Sequence, residues 1–150
     1  MKRFLAACLA AALLLAAPVR AQLGPLRQIE LSLGMRQVHA ELADNVAARM
    51  QGLMYRTALA PNSGMLFVYE RPAMECMWMR NTLVPLSVAF FDQAGRIINI
   101  EQMQPQTEDS HCTERPASYA LEMEQGWFAR NGIRAGAVLL GLEKLKQRPR

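Results

Sequence analysis

Sulfur-containing side chains are concentrated in residues 74–79, where four of the six residues are methionine or cysteine. Thioether and thiolate sulfur are the ligands that Cu(I) prefers, and further donors follow later in the chain. The candidate donors in chain order are Met74, Cys76, Met77, Met79, His111 and Cys112. In a strand, however, Met77 and Met79 share one face and Cys76 lies on the other. Because methionine also fills irregular cores, we expect no metal or other cofactor, and copper handling is an alternative hypothesis.

Polar side chains that suit a binding pocket are spread over three segments of the chain. Arg49 and Arg56 are seven residues apart, a spacing that places them on one side of a helix. Together with Asn81, Thr82 and a carboxylate such as Glu122, they would form a pocket for a small anion or sugar. The alternative interpretation is structural, with each arginine fastening a loop or a carboxylate to the fold.

Several enzyme signatures are absent from the sequence. It contains no phosphate-binding glycine loop, dinucleotide fingerprint, G-x-S-x-G, H-E-x-x-H or C-x-x-C motif. His39 and His111 are its two histidines, which excludes a three-histidine zinc site. A hydrolase-like enzyme with Glu122 as general base and an arginine at the oxyanion is an alternative hypothesis, but no nucleophile–base pair is evident and no catalytic residue is assigned. A binding or accessory module, which needs the pocket alone, is the leading interpretation.

Residues 1–21 have the pattern of a secretory signal peptide. Lys2 and Arg3 precede an apolar run of 14 residues, and small residues mark a cleavage site after Ala21. The run is shorter than the roughly 20 residues that span a membrane, so no span is expected after cleavage. A lipoprotein site at Cys8 is rejected because most of the apolar run follows that cysteine. We therefore expect an exported protein, periplasmic or secreted.

The charge balance limits the classes of partner. Three of the 17 basic residues lie in residues 1–21, which contain no acid, so the mature chain has 14 basic and 13 acidic residues. Such a near-neutral chain lacks the positive surface that binding to phosphate backbones requires. Nucleic acid is therefore excluded as a partner, and an unidentified small polar ligand or a cell-envelope component is expected.

The cysteine count predicts a disulfide. Removal of the signal peptide eliminates Cys8 and leaves Cys76 and Cys112. An even pair of cysteines in an exported protein is typical of a disulfide. We therefore expect the long polar loop at residues 104–116 to be tied to the segment that contains Cys76.

Hydrophobic periodicity predicts a mainly β (α+β) domain. Alternating residues at 29–33 and 37–42 indicate a hairpin, and the apolar run Leu86–Phe91 indicates a central strand buried on both faces. Further strands are expected at 65–69, ending before Pro72, and at 77–79, 96–103, 119–124 and 138–140. The turn after Leu86–Phe91 is expected to be capped by Asp92. These elements fit a compact antiparallel β-sandwich or barrel of about eight short strands.

One or two small helices are expected beside these strands. Asp44 is the expected N-cap of a helix of about ten residues, with an apolar face that includes Val46 and Met50 and an end near Gly52. A second short helix is expected within 125–131. The predicted organisation is a signal peptide at 1–21, a lead-in at 22–27, a single domain at 28–142 and a basic tail at 143–150.

The order of several motifs resembles a known family, domain of unknown function 192. The motifs in chain order are Arg49-x-x-Gly52-Leu53-Met54-x-Arg56, Gly64-Met65-Leu66-Phe67, Trp78-Met79-Arg80-Asn81-Thr82-x-x-Pro85-Leu86, Asp92-x-x-Gly95-x-Ile97, Pro116-Ala117-x-x-x-Leu121-Glu122 and Gly126. The resemblance covers residues 28–142 and implies a compact mainly-β barrel or sandwich, often exported in bacteria, with no established activity. Two positions at which the family commonly has an acid are occupied here by Ser87 and Ala137, which argues against a mechanism based on a carboxylate at either position.

Overall fold

The computed structural model describes residues 24–146. The predicted signal peptide, with Cys8, and the last four residues of the predicted tail lie outside these residues. Nine strands and two α-helices occur in the described part. The strands are β1 (Gln28–Leu33), β2 (Arg36–Ala43), β3 (Ser63–Ala73), β4 (Cys76–Met77), β5 (Leu86–Phe91), β6 (Ile97–Met103), β7 (His111–Cys112), β8 (Ala117–Glu124) and β9 (Leu139–Leu140). The helices are α1 (Val46–Gln51), α2 (Trp127–Arg130) and a 3-10 helix at Leu142–Lys146.

Seven of the strands form one curled sheet in the order β6-β5-β8-β3-β2-β1-β9. All neighbours are antiparallel except β2 and β3, which are parallel and are joined by a crossover through α1. The segment around β9 contacts both edges of the sheet: Leu139 pairs with Leu33 of β1, and the Ile97 amide donates to the Ala137 carbonyl at 2.8 Å. The sheet is therefore barrel-like, which confirms the mainly-β prediction.

Both faces of the sheet are covered by apolar side chains. All six residues of β5 are buried, as its apolar run predicts. Along the neighbouring strand β8, Leu121 and Met123 belong to the cluster that contains Trp127, whereas Ala120 belongs to a second cluster with Met79. Alternate residues of a strand face opposite sides, so Glu122 shares the side of Ala120. A carboxylate in the middle of the sheet thus points towards the second cluster.

Helix α1 differs from its prediction in length, cap and exposed face. It has six residues, and its N-cap is Asn45 instead of Asp44, because the Asn45 side chain accepts a bond from the Ala48 amide at 2.9 Å. Ala48 is the buried residue of the helix, while Val46 and Met50 are 58% and 73% exposed. The expected apolar face is thus divided, because Val46 and Met50 are turned to the surface whereas Leu53, which lies beyond the end of the helix, is buried.

Strand β3 is longer than predicted because it continues through Pro72. Its pairing with β8 is regular up to Val68, opposite Tyr119, and then shifts before Ala73 pairs with Ala117. Proline has no amide hydrogen to donate, so it is tolerated where the ladder is interrupted. Irregularities of this kind redirect side chains, and here the interruption covers residues 69–72.

Strands β4 and β7 form a separate two-stranded sheet. Cys76 lies directly opposite Cys112, their Cα atoms are 4.0 Å apart, and their sulfurs are bonded. The predicted disulfide is therefore confirmed. Strand β4 ends at Met77, so Met79, which we expected in the same strand, lies beyond it and is fully buried.

Other local features concern the turns and the end of the domain. The Asp92 side chain accepts hydrogen bonds from the amides of Ala94 and Arg96, both at 2.9 Å, which confirms its role as a turn cap. Lys144, in the predicted tail, donates to the Glu30 carbonyl at 2.8 Å, and Leu145 packs against the first cluster. The described part of the tail is therefore packed on the domain.

The close approach of β3 to β8 predicts a strong effect of a methyl group at Gly64. A Cβ at this position would overlap the Glu122 carbonyl oxygen and lie 2.6 Å from the Met123 sulfur. We expect Gly64→Ala to lower the free energy of unfolding by about 1–3 kcal/mol or more, measured by urea denaturation. Gly24→Ala, where a Cβ meets nothing within 4 Å, is the control and should leave stability unchanged. Equal stability of both variants would contradict this account of the strand pairing.

The disulfide predicts a second effect on stability. It closes a separation of 36 residues. Loss of such a link is expected to lower the free energy of unfolding by about 3–4 kcal/mol in the variant with Cys76→Ser and Cys112→Ser. Reduction of the wild-type protein should have the same effect on its urea midpoint, and a reductant should not change the variant. A variant as stable as the oxidised protein would show that the link does not constrain the fold.

Candidate functional site

A cleft of about 580 Å³ lies beside the second apolar cluster. Its walls come from α1 with the turn that follows it, from β3 and its interruption, and from the segment around β4, while Glu122 contributes from β8. The lining residues are Val46, Arg49, Met50, Gln51, Gly52, Leu53, Met54, Phe67, Tyr69, Glu70, Arg71, Ala73, Glu75, Cys76, Met77, Trp78, Thr82 and Glu122. Charged, polar and apolar side chains all contribute to this lining, and the volume of the cleft is within the range of small-molecule sites.

Glu122 is the most unusual residue of the cleft. It lies on the central strand β8 between Met65 of β3 and Val88 of β5, and it is 5% exposed. No hydrogen bond or ion pair within residues 24–146 engages its carboxyl group. Because the surrounding protein replaces most of the water around the carboxyl group, burial raises the pKa of Glu122 to about 8. The group is therefore held largely in its neutral form at pH 7.

Tyr69 is close enough to share the electrostatic environment of Glu122. Burial raises the pKa of the Tyr69 hydroxyl well above its usual range, the charges of Glu75 and Glu122 raise it further, and Arg49 opposes them. The Tyr69 hydroxyl donates a weak bond to the Met77 sulfur at 4.0 Å. Tyr69 is thus a neutral polar group in the cleft and not a ready nucleophile.

Arg49 is positioned by α1 and held by β3. Its guanidinium donates to the Val68 carbonyl at 3.0 Å and lies 3.6 Å from the carboxylate of Glu70, which is itself exposed. An ion pair with an exposed partner contributes little to stability, so the bond to the backbone fixes the side chain. The shorter of the two contacts of Arg49 is therefore made with the protein backbone.

Thr82 and the ring of Trp78 also line the cleft. Thr82 is buried, and its hydroxyl donates to the Arg80 carbonyl at 3.4 Å. The Arg80 guanidinium lies 5.7 Å from the centre of the Trp78 ring, a cation–π contact. Trp78 is 49% exposed and lies with Val46 and Met50 where the cleft opens to solvent. The exposed lining of the cleft thus includes apolar and aromatic side chains beside the charged Glu70 and Arg71.

Three of the five predicted pocket residues line this cleft, namely Arg49, Thr82 and Glu122. Arg56 does not, because α1 ends at Gln51 and the chain turns before residue 56; the Arg56 guanidinium bonds the Glu41 carboxylate at 2.6 Å. Asn81 is exposed in a turn with φ of 57°, and its carbonyl accepts a bond from Tyr55 at 2.9 Å. The two arginines are thus not side by side.

The soft-donor candidates are dispersed among different environments. Met77 lines the cleft, whereas Met79 is enclosed in the second cluster. Cys76 and Cys112 are bonded to each other and have no thiolate to offer. His111 lies opposite Met77 in the small sheet. Met74 is exposed and lies two residues before β4. Within residues 24–146, no three His, Cys, Asp or Glu side chains are grouped as a metal site would require.

Several residues of the cleft were not identified from the sequence. Tyr69 and Glu75 were missed, and Met50 was assigned to the core. A signal for Tyr69 exists, since Met65, Phe67 and Tyr69 alternate along β3 and the first two lie in the second cluster. The interruption of β3 brings Glu70 and Arg71 to the cleft, but no comparable pattern in the sequence indicates it.

The two positions at which this chain lacks the acids of the resembled family have structural partners. The Ser87 hydroxyl bonds the Gln102 side chain and accepts from the Gly126 amide, both at 2.8 Å. The Ala137 carbonyl accepts the Ile97 bond that joins the edges of the sheet. Neither residue lines the cleft.

Comparison with known proteins identifies the family. The model of the family described as DUF192, uncharacterized ACR, matches residues 29–140. The chain belongs to the DUF192 family. No curated protein matches it.

Two crystal structures are similar to this DUF192 protein. The first is of a candidate transcription regulator from Sinorhizobium meliloti 1021, with 32% identity, a TM-score of 0.77 and coverage of 81% of this chain and 98% of that one. The second is of a protein of unknown function from Novosphingobium aromaticivorans DSM 12444, with 32% identity, a TM-score of 0.73 and coverage of 82% and 89%. In the described part of the DUF192 chain, no helix has the length and apolar character needed to cross a membrane.

The buried carboxyl predicts a characteristic dependence of stability on pH. Folding raises the pKa of Glu122 from 4.5 to about 8, so between these values the unfolded chain releases a proton that the folded chain retains. Stability is unaffected below pH 4.5, falls as the pH rises and is lowest above pH 8. Relative to Glu122→Gln, the wild-type free energy of unfolding should fall by roughly 2–5 kcal/mol across this range.

Urea denaturation of both proteins at about pH 5 and about pH 8.5 measures this difference. Other titrating groups affect the two proteins alike, so the difference between the profiles reports Glu122. Parallel profiles would show that the carboxyl is solvated in the folded protein.

Proposed function

We propose that this DUF192 protein is an exported binding or accessory module that holds a small ligand in the cleft above Glu122. The observation that carries the proposal is the carboxyl group of Glu122, a residue only 5% exposed, which has no hydrogen-bond or ion-pair partner in residues 24–146 and lies at a cleft that also presents apolar and aromatic side chains. Buried polar groups are normally satisfied, and strongly shifted pKa values are concentrated at functional sites. A ligand group that pairs with Glu122 would remove this deficit.

The position of Glu122 also supports a binding role. Its strand is hydrogen-bonded on both sides, by β3 and by β5, so the carboxyl group is held on the most rigid part of the sheet. Preorganised groups on strands bind ligands at a lower entropic cost than groups on mobile loops. Arg49, whose guanidinium is held by the Val68 carbonyl, is another ordered side chain of the cleft.

Two observations support export. The signal-like sequence at residues 1–21 is one, and the Cys76–Cys112 disulfide is the other. Disulfides persist in oxidising compartments and are rare in the cytosol. A periplasmic or secreted location agrees with both.

A hydrolase-like enzyme is the second candidate function, and one observation favours it. The pKa of Glu122 is raised to about 8, near the range in which a general acid or base works best. The neighbouring hydroxyls are poor nucleophiles for such an enzyme, because the Thr82 hydroxyl bonds the Arg80 carbonyl and burial keeps the Tyr69 hydroxyl protonated. The binding role requires no nucleophile and is therefore preferred.

Native mass spectrometry tests the binding role. The protein is produced with its export segment in a bacterial host and purified gently without reductant. We expect a chain that begins at Gln22, contains the disulfide and retains a small-molecule adduct. Met77→Trp fills the cleft and should lose the adduct, while Met35→Trp, at a fully exposed position in the β1–β2 turn, should retain it.

The outcomes separate the candidate functions. An adduct retained equally by Met77→Trp would place the ligand elsewhere. A bare wild-type chain whose melting temperature no small metabolite raises would contradict the binding role. Turnover of an ester or amide panel that Glu122→Gln abolishes would establish the enzyme instead.

A further inference from the structure

The charges that line the cleft are unequally satisfied. Arg49 is engaged by the Val68 carbonyl and by Glu70. Glu75 is half-buried and Glu122 is buried, and neither has an ion-pair partner within residues 24–146. Both carboxylates nevertheless act on Tyr69, so they face the same part of the cleft. A ligand that reaches the inner cleft therefore meets two carboxyl groups without ion-pair partners.

The other two arginines are exposed or paired outside the cleft. Arg71 lines the cleft but is exposed, where water screens its charge. Arg56, which would have completed an anion site with Arg49, is paired with Glu41 outside the cleft. An anionic ligand would therefore meet two carboxyl groups, and the cations that line the cleft are Arg49, which is already bonded, and Arg71, which is exposed.

The walls of the cleft suit the apolar body of a ligand. Phe67 is buried beside Tyr69, while Trp78 and Met50 are exposed at the mouth. Aromatic faces attract cations, and one face of Trp78 already lies against the Arg80 guanidinium. Methionine adapts to ligands of different shape.

We propose that the cleft binds a small organic cation, an ammonium group on an apolar body, with the ammonium against the Glu122 carboxylate and the body against Trp78 and Met50. The inference rests on the binding role proposed above and adds the class of ligand. The ammonium supplies the donors and the positive charge that the buried carboxylate lacks.

Binding of such a cation is linked to release of a proton. The free protein holds Glu122 largely protonated at pH 7, so an ammonium ion that enters displaces one proton from the carboxyl group to water. Tyr69, Glu75 and Arg49 also face this region, and burial keeps the Tyr69 hydroxyl protonated throughout the range. As the pH rises towards 8, the affinity for the ammonium ligand should therefore increase by about tenfold per pH unit, and above pH 8 it should level off.

Three probes that differ in one group test the inference by isothermal titration calorimetry of the full mature chain with its disulfide intact. They are phenylethylamine, phenylethanol and phenylpropionate, which share the ring and its two-carbon link. We expect phenylethylamine to bind and the other two to bind at least about tenfold more weakly. Glu122→Gln should weaken amine binding by at least about tenfold, since it removes the charge partner. Glu143→Gln, at an exposed position away from the cleft, should not change it.

Each other outcome overturns the inference. Equal binding of the alcohol or the acid would show that Glu122 does not select a cation, and an affinity independent of pH between about 6 and 8 would show that its proton is not displaced. The pH series uses wild-type protein, so it tests whether the bound cation displaces the Glu122 proton even if Glu122→Gln does not fold. If the amine does not bind but Met77→Trp loses a native adduct, the cation class fails and the binding role stands. If both experiments are negative, both proposals fail.

Discussion

The contact between β3 and β8 at Gly64 is the constraint on which the cleft depends. Gly64 lies opposite Met123, and a hydrogen atom is the largest substituent that fits between its Cα and the Glu122 carbonyl. The register set at this point puts Glu122 opposite Met65 and brings the regular pairing to its end at Val68. This antiparallel register thus determines the position of the buried carboxyl group, and beyond Val68 strand β3 leaves the ladder to form a wall of the cleft.

Placing a carboxyl group in this position is costly for the fold. An apolar residue at 122 would pack with Val88 and Ala120 without the desolvation that raises the pKa of the glutamate. Residues that oppose stability in this way are expected at functional sites, where the rest of the fold compensates. The disulfide contributes to that compensation, because Cys76 lies in the wall beside Met77 and is tied to a distant loop.

The strands could be predicted from sequence because their patterns reflect burial directly. The nearly continuous apolar run of β5 predicted the position of this strand and its burial on both faces, and Asp92 marked the turn that follows. Helix α1 was predicted less well, since a spacing of four residues between Val46 and Met50 indicates a shared face but not what that face contacts. The face with Val46 and Met50 lines the exposed part of the cleft. Asparagine and aspartate are both common N-caps, so the sequence did not show that Asn45 and not Asp44 would cap the helix.

The site illustrates why residue types alone predict a pocket but not its charge. Arg49 and Arg56 suggested an anion, because sequence shows which groups carry charge but not which charges are already paired. The fold pairs Arg56 with Glu41 and binds Arg49 to a backbone carbonyl, and both contacts depend on where α1 ends. Glu122 remains without a partner in the described chain and at low dielectric, where an unpaired charge has its largest effect. The cation selectivity that we propose for the cleft therefore rests on a buried carboxyl group that the fold leaves unpaired and that attracts a cation once it is ionised.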